Sequence, residues 1–209
     1  MADEDRDLDE LLARLRGGDQ SALAELFARH RDRLRRMVEL RLDPRLNGRV
    51  SPSDVLQEAY IDAVKRLTHY FDKPDESFFG WLRLIVGQRL ADVHREHLGA
   101  AKRNASQEVS IDRTGPGASS ACLAGFLVGR LTSPSHAAQR AEALAAVEAA
   151  LNQLDPLDRE VLALRHFEEL SNNEVAEILG IQRAAASKRY VRALARLREV
   201  LETLPGSKG

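Results

Sequence analysis

The sequence predicts an all-α protein in which a flexible linker joins two helical domains, the C-terminal one containing a helix-turn-helix. Apolar residues recur every three or four positions along most of the chain, and few β-branched runs occur. This periodicity fades over residues 99–136, where Gly, Ser and Pro accumulate. Apolar residues between 123 and 131 interrupt this stretch, which leaves open whether part of it docks on a domain. We therefore predict four segments: an acidic extension with a short helix (1–18), a helical domain (19–103), a linker (104–136) and the helix-turn-helix domain (137–204).

The chain is nearly neutral overall, but its charges are segregated. The formal net charge is −1, with 31 Lys and Arg against 32 Asp and Glu. An acidic start contrasts with basic stretches over residues 89–103 and 183–198, which suits weak local binding to a polyanion. Cys122 is the only cysteine, which excludes an internal disulfide and a cysteine-based metal site. No signal peptide or spanning segment is predicted, so we expect a cytoplasmic protein.

The first helices have recognisable starts and stops. A short helix over residues 8–15 ends at a Gly-Gly pair, and Asp19 or Ser21 caps a long helix that ends after Leu42 at an Asp-Pro pair. Ser51 caps the next helix, with Pro at its first position, and the helix runs to about residue 70. A polar loop follows, and the fourth helix covers about residues 77–98.

The second domain begins with an Ala- and Leu-rich helix over residues 137–154, and Asp155 caps another. Ser171 and Glu174 then form the capping-box pattern that opens a third helix. This helix ends at Gly180, where a left-handed turn residue is needed. A fourth helix follows the short turn, so the pattern is that of a helix-turn-helix.

The helix after this turn is basic with a single sign. Ordinary solvated helices usually mix charges at i,i+4, and such a helix is the plain alternative. A single-signed face directly after the turn instead favours DNA binding. The basic residues before its first acid are Arg183, Lys188, Arg189, Arg192, Arg196 and Arg198.

The third helix carries an acidic stripe, Asp54, Glu58 and Asp62, with Gln57 beside it. Like charges one turn apart repel slightly, so the stripe either faces water or meets a basic partner. Periodicity alone leaves both interpretations open.

The fourth helix opens with aromatic residues, Phe78, Phe79 and Trp81, most of which we expect in the core. Aromatic and basic residues together also suit the stacking of unpaired bases over a phosphate-binding surface. His94 and His97 lie at i,i+3 and could share a metal, but no zinc-protease motif, P-loop or nucleophile elbow accompanies them. We therefore expect no metal, no cofactor and no catalysis.

Three stretches taken together resemble the extracytoplasmic-function (ECF) class of bacterial RNA polymerase sigma factors. Residues 54–60 (DVLQEAY) are similar to the D-x-V-Q-E-x-F helix of that family, and residues 79–86 (FGWLRLIV) to its F-x-x-W-L-x-x-I segment. Residues 170–180 (LSNNEVAEILG), with the basic helix after them, match its helix-turn-helix. The resemblance covers nearly the whole chain except the linker.

The resemblance implies a function for each domain: the first (region 2-like) binds core polymerase and opens and reads the minus-ten promoter element, and the second (region 4-like) reads the minus-thirty-five element. The implied polymerase contacts are Asp54, Gln57, Glu58 and Asp62. The implied minus-ten residues are Phe71, Asp72, Lys73, Ser77, Trp81, Arg83, Gln88, Arg89, Asp92 and Arg95. The implied minus-thirty-five residues are Gln182, Arg183, Ala184, Ala185, Ser187, Lys188, Arg189 and Arg192.

Two departures from the family pattern concern base preference. Gln88 stands where members typically carry Asn, and three alanines, 184–186, stand where a Gly-Thr-Val run is frequent. The implied partners are bacterial core RNA polymerase and promoter DNA, with an anti-sigma protein as a further candidate, and the chain is expected to be a monomer when free.

Two rival hypotheses fit parts of the sequence. A stand-alone helix-turn-helix regulator would form a homodimer and bind DNA tightly without polymerase, but it gives the acidic stripe no role. A small helical enzyme would use His94 and His97 with nearby acids.

Overall fold

The computed structural model describes residues 2–72, 77–98, 116–131 and 137–203, and all regular structure in these ranges is helical. This agrees with the predicted all-α class. The helices are α1 Ala2–Arg16, α2 Gln20–Arg41, α3 Pro52–Phe71, α4 Phe78–Leu98, α5 Ser120–Leu131, α6 Ala137–Gln153, α7 Pro156–Leu162, α8 Asn172–Leu179 and α9 Arg183–Thr203. A 3₁₀ turn (Pro44–Leu46) follows α2, and a π-helical turn (Ala163–Phe167) follows α7.

The predicted helix starts are present as hydrogen bonds. Asp19 caps α2 by accepting a hydrogen bond from the Ser21 backbone N–H, at 2.9 Å. Helices α3 and α8 each begin with a reciprocal capping box, the second between Ser171 and Glu174. Gly180 ends α8 with φ 63°, the left-handed conformation that only glycine adopts without steric cost. The local sequence signals therefore mark the starts of α2, α3 and α8 and the end of α8 correctly, whereas α1 begins at Ala2, before the predicted short helix.

The two predicted domains share one apolar core. Helices α2, α3 and α4 pack around fully buried residues such as Leu34 and Leu82. Val175 and Ile178 of α8 belong to the same cluster, so the helix-turn-helix packs directly on the N-terminal bundle. We call helices α1–α4 the N-terminal half and helices α6–α9 the C-terminal half.

Part of the predicted linker is a packed helix. Leu123 and Val128 of α5 are buried in a second cluster with Leu40 of α2 and Leu151 of α6. The backbone N–H of Ser119 also donates to the carbonyl of Leu40, at 3.0 Å. The apolar residues of α5 thus dock on both halves, which answers the question that the sequence left open for this part of the linker. The remaining linker positions, 104–115 and 132–136, lie outside the described residues.

Four charged side chains are buried where the two halves meet. Arg41 ends α2 and donates hydrogen bonds to Glu160 of α7 and to Glu168, which follows the π-helical turn. Arg83 of α4 donates from Nε to Glu168 at 3.1 Å and lies 3.7 Å from Glu160. No side chain of the four is more than 4% exposed. We call these residues the ion cluster.

The charges of the ion cluster stabilise one another. Burial alone would raise the pKa of Glu168, but the guanidinium groups of Arg41 and Arg83 outweigh it and hold that pKa below its usual value. Since two cations and two anions meet, the cluster is formally neutral. The backbone N–H of Ala118 donates to the second oxygen of Glu160 at 3.0 Å, so the segment leading into α5 also joins the cluster.

The buried side chain of His30 makes the stability of this packing dependent on pH. Its ring lies 5.2 Å from that of Phe79, and its Nε2 has no hydrogen-bond partner within the described residues. Burial, and then the charges of Arg33 and Arg29, lower the pKa of His30 from 6.5 to about 4. The unfolded chain therefore binds an additional proton between these values.

We expect the free energy of unfolding to fall, as the pH drops from 6.5 to 4, by about 2–3 kcal/mol through His30 alone. This contribution is fully present above pH 6.5 and is lost on acidification. Urea unfolding of the wild type and of the variant His30→Leu, from pH 7.5 to 4.5, measures it. As the pH falls, the free energy of unfolding should decrease less in the variant than in the wild type. A difference between the two that does not change with pH would contradict the lowered pKa of His30.

Candidate functional site

The acidic stripe of α3 lies on the surface. Asp54, Gln57 and Glu58 are exposed and Asp62 is half-buried. Asp54 also completes the capping box, where its Oδ2 accepts hydrogen bonds from the hydroxyl and backbone N–H of Ser51, and these bonds lower the pKa of Asp54. The stripe is therefore an anionic face built on a rigid helix start.

Two apolar side chains lie on the same face, and sequence reasoning missed them. Ile61 and Val64 are 47% and 42% exposed. The available signal was that neither residue belongs to the buried seam of α3, which contains Val55, Ala59 and Ala63. Exposed apolar residues bordered by charge are typical of a protein-binding patch. We call Asp54, Gln57, Glu58, Ile61, Asp62 and Val64 the α3 surface.

The residues predicted for minus-ten DNA fall into two groups. Gln88 and Arg95 are exposed and Arg89 and Asp92 are half-buried. Ion pairs join Arg89 to Glu58 of the α3 surface and Arg95 to Asp92, and Gln88 accepts a hydrogen bond from Arg66 of α3. This group borders the α3 surface along α4.

The second group lies at the start of α4 and is covered. Trp81 is buried in a cluster with Tyr70 and Phe78, with centroid separations of 5.2–5.5 Å. Arg83 is 1% exposed because it belongs to the ion cluster. Both side chains are buried in this arrangement. The burial of Trp81 agrees with the core position expected for these aromatic residues, whereas the minus-ten roles implied for Trp81 and Arg83 would require exposure.

The turn before α4 completes this group. Phe71 is half-buried, and its ring lies 5.4 Å from that of Tyr70 at a tilt of 59°. Asp72 is exposed, and Lys73 lies outside the described residues. Ser77 donates hydrogen bonds from its backbone N–H and its hydroxyl to Glu177 of α8, at 3.1 and 3.0 Å. The helix-turn-helix therefore sits on the N-terminal end of α4.

Helix α9 presents two different faces. On one face, Arg189 and Arg192 bind Asp158 of α7, with N–O distances of 2.6–2.7 Å. Asp158 is 5% exposed, so these arginines orient α9 on α7 as well as adding positive charge. Sequence analysis missed Asp158, because it lies 31 residues before Arg189 in the chain and only the fold brings the two side chains together.

The other face of α9 points outward. Ala184, Lys188, Val191 and Ala195 are spaced at four, three and four residues and are all exposed, Val191 by 63%. We call these residues the α9 ridge. Of the other residues predicted for minus-thirty-five DNA, Gln182 and Arg183 are exposed and Ala185 and Ser187 are half-buried. The α9 ridge thus presents one cation, Lys188, between apolar side chains.

Other kinds of site find no support among the described residues. No three His, Cys, Asp or Glu side chains there lie close enough to hold a metal ion. His94 accepts a hydrogen bond at Nε2 from the backbone N–H of Asp43, at 3.2 Å, and so has a structural contact. Within the same ranges, no helix combines the length and apolar character needed to cross a bilayer.

Comparison with known proteins decides between the candidate functions. The ECF sigma factor family model matches residues 5–203. The chain belongs to the ECF sigma factors. It is 30% identical over 197 residues to the RNA polymerase sigma factor CarQ of Myxococcus xanthus, covering 92% of this chain and 97% of that protein. It is 29% identical over 205 residues to the sigma factor NccH of Alcaligenes xylosoxydans xylosoxydans, covering 95% and 97%.

A solved structure agrees with this assignment. The structure of CnrH in complex with the cytosolic domain of CnrY matches with a TM-score of 0.54 and 25% identity, covering 92% of this chain and 95% of that one. The family match confirms the resemblance seen in the sequence. Sigma factors are initiation factors of RNA polymerase and not enzymes. As an ECF sigma factor, this chain partners core RNA polymerase in promoter-directed initiation.

The pairing of Asp158 with α9 of this sigma factor can be tested by a double-mutant cycle. We expect Asp158→Ala and Arg192→Ala to be coupled by about 1–2 kcal/mol in unfolding free energy, because two charge-assisted hydrogen bonds meet a buried carboxylate. The exposed pair Arg198–Glu202 on the same helix is the control and should show much weaker coupling. Equal coupling in the two cycles would mean that Asp158 does not orient α9.

Proposed function

We propose that this ECF sigma factor binds core polymerase through the α3 surface and reads two promoter elements, the minus-ten element with α4 and the minus-thirty-five element with α9. The observation that carries the proposal is that three surfaces with different chemistry lie on one helical body. The α3 surface is anionic and apolar, the exposed part of α4 mixes polar and basic groups, and the α9 ridge is small, apolar and cationic.

The α3 surface supports docking of a protein rather than a nucleic acid. Its acids would repel phosphates, whereas a basic helical partner would meet Asp54 and Glu58 as ion pairs. Ile61 and Val64 would supply the apolar centre that such an interface needs. Because Glu58 also binds Arg89, docking of polymerase on α3 would alter an ion pair that involves α4.

The α9 ridge supports major-groove readout. A helix after a helix-turn-helix turn enters the groove with its N-terminal residues against base edges. Lys188 can donate to guanine acceptors, and Ala184 and Val191 can contact thymine methyl groups. Arg189 and Arg192, held by Asp158, flank this ridge and would act mainly on phosphates.

Two weak DNA modules become selective once a single large partner holds both. Each element then binds at the high effective concentration set by the other. Strand opening requires no chemistry from the sigma factor, since capture of unstacked bases by α4 would lower the cost of the opened state. The proposed place of action is the cytoplasm, where the polymerase works, and control by an anti-sigma protein stays a prediction.

Run-off transcription with bacterial core polymerase on a genomic fragment library tests the proposal. We expect start sites that depend on this protein and share a two-block upstream motif. Lys188→Ala should reduce transcription from these sites by about tenfold, the value of one bidentate base contact, and should not weaken core binding. If no transcripts are added and the protein alone binds duplex DNA as a tight homodimer, the regulator hypothesis replaces the proposal.

The α3 surface has its own test. We expect Ile61→Arg to weaken binding to core polymerase by at least about tenfold, because it places a cation in the apolar centre of the interface. Val191→Arg is the matched control, since it makes the same kind of change on the exposed face of α9. Fluorescence anisotropy of labelled sigma factor with core polymerase measures both. Equal affinities for the two variants would exclude α3 as the docking surface.

A further inference from the structure

The last turn of α1 is basic, although the first part of this helix is mostly acidic. Leu11 and Leu15 are buried in the core cluster of the N-terminal half, so α1 is packed firmly against α2. Two arginines, Arg14 and Arg16, occupy the last turn. The function proposed above assigns no role to any residue of α1.

The two arginines have different partners. Arg14 donates hydrogen bonds to Asp19, at 2.8 and 2.9 Å, and to Glu25, at 2.9 Å. Arg16 is exposed and binds no carboxylate among the described residues. Its guanidinium carbon lies 5.4 Å from the centre of the Phe71 ring. The charge of Arg14 is thus neutralised locally, whereas the charge of Arg16 is available to an anion.

The turn after α1 fixes the position of Arg16. The backbone N–H groups of Gly17 and Gly18 donate to the carbonyls of Ala13 and Leu15, both at 3.0 Å. Gly18 adopts a φ of 93°, so the chain leaves the helix directly after Arg16. Arg16 therefore stands at a closed helix end, beside the last residue of α3.

The ring beside Arg16 belongs to a group of aromatic side chains that continues into the core. Phe71 ends α3 and is half-buried, and its ring lies 5.4 Å from that of Tyr70. Tyr70 in turn lies 5.2 Å from the buried ring of Trp81. The group thus leads from the start of α4 to a surface position where Phe71 and Arg16 meet.

Another arginine and aromatic pair shows how a structural contact differs from this one. Arg33 lies 4.0 Å from the centre of the Phe79 ring, is 24% exposed and donates to Glu174 at 2.7 Å. Arg16 lies farther from its ring, is more exposed and has no such acid among the described residues. An arginine that served packing alone would be expected to resemble Arg33.

An exposed cation beside an aromatic ring suits the binding of single-stranded nucleic acid. Unpaired bases stack on aromatic side chains, and guanidinium groups donate to the phosphates next to them. Asp72, which follows Phe71, is exposed and would repel a phosphate. Arg16 supplies a positive charge that offsets this acid at the end of α3.

We propose that α1 is part of the site that captures the opened promoter strand, and that Arg16 binds one phosphate of this strand beside Phe71. The inference rests on the proposed minus-ten role of α4, and it adds a residue from a helix outside that role. Because a phosphate contact carries no sequence information, Arg16 acts on affinity and leaves base readout to α4.

The test uses core polymerase with this sigma factor bound and a promoter fragment identified by run-off transcription. The fragment is unpaired over the minus-ten block, and single uncharged methylphosphonate linkages replace successive phosphates of the non-template strand. With the parent protein, we expect the linkage at the Arg16 contact to weaken binding by about fivefold, the value of one exposed charge pair. Arg16→Gln should abolish the effect of this linkage and keep the effects of the others.

Arg6→Gln is the matched control. Arg6 is exposed on the same helix and lies about 15 Å from Arg16 along the helix axis. This variant removes the same charge and should respond to every linkage as the parent does. Arg16→Gln should also lower the slope of log affinity against log salt concentration by about 0.7, the value of one phosphate on a single strand. The control should keep the slope of the parent.

Two results would overturn the inference. If Arg16→Gln weakens binding of all fragments equally and keeps the salt slope of the parent, Arg16 only packs on Phe71. If Arg16→Gln instead weakens the binding of the sigma factor to core polymerase, Arg16 contacts protein and not DNA. Failure of the proposed function is a separate result, since the parent protein would then give no transcripts at all, and this would remove the strand site together with the role of Arg16.

Discussion

Two arginines and two glutamates with almost no exposure to solvent hold this molecule in one arrangement. Arg41 and Arg83 come from the N-terminal half, and Glu160 and Glu168 from the C-terminal half, so none of the charges is compensated unless the halves are in contact. Removing one partner from a buried set of this kind typically costs about 3–5 kcal/mol, since the remaining charge stays buried without compensation. Replacing such a set of charges with well-packed apolar residues is often neutral or stabilising. The charges therefore do not make the contact more stable than an apolar contact would be, but they restrict it to two surfaces with complementary charge.

The same interaction organises the functional surfaces. It buries Arg83 and brings α8 onto the start of α4, while it leaves α3 and the outer face of α9 in solvent. The residue Asp158 plays a similar part on a smaller scale, because it binds Arg189 and Arg192 and so fixes how α9 is rotated on α7 and which residues form the outward ridge.

Local signals in the sequence carried the prediction of helices and family. Capping boxes at Ser51 and Ser171 and the glycine at residue 180 act within one or two helical turns, so the residues that decide these features are neighbours in the chain. The helix-turn-helix and the acidic stripe could be predicted for the same reason, since both follow from helical periodicity. The family assignment then confirmed the resemblance that these motifs had indicated.

Burial of the individual site residues was decided by tertiary structure alone. Arg83 has the sequence context of a surface arginine, and only its distant partners Glu160 and Glu168, 77 and 85 residues away, place it in the interior. The apolar residues of helix α5 were visible in the sequence as an interruption of the linker, but only the tertiary structure shows that they pack between α2 and α6. Periodicity thus determined where the helices are and which faces are charged. Pairing across long stretches of chain determined which of those charges meet solvent, because opposite charges are buried only where the fold brings them together.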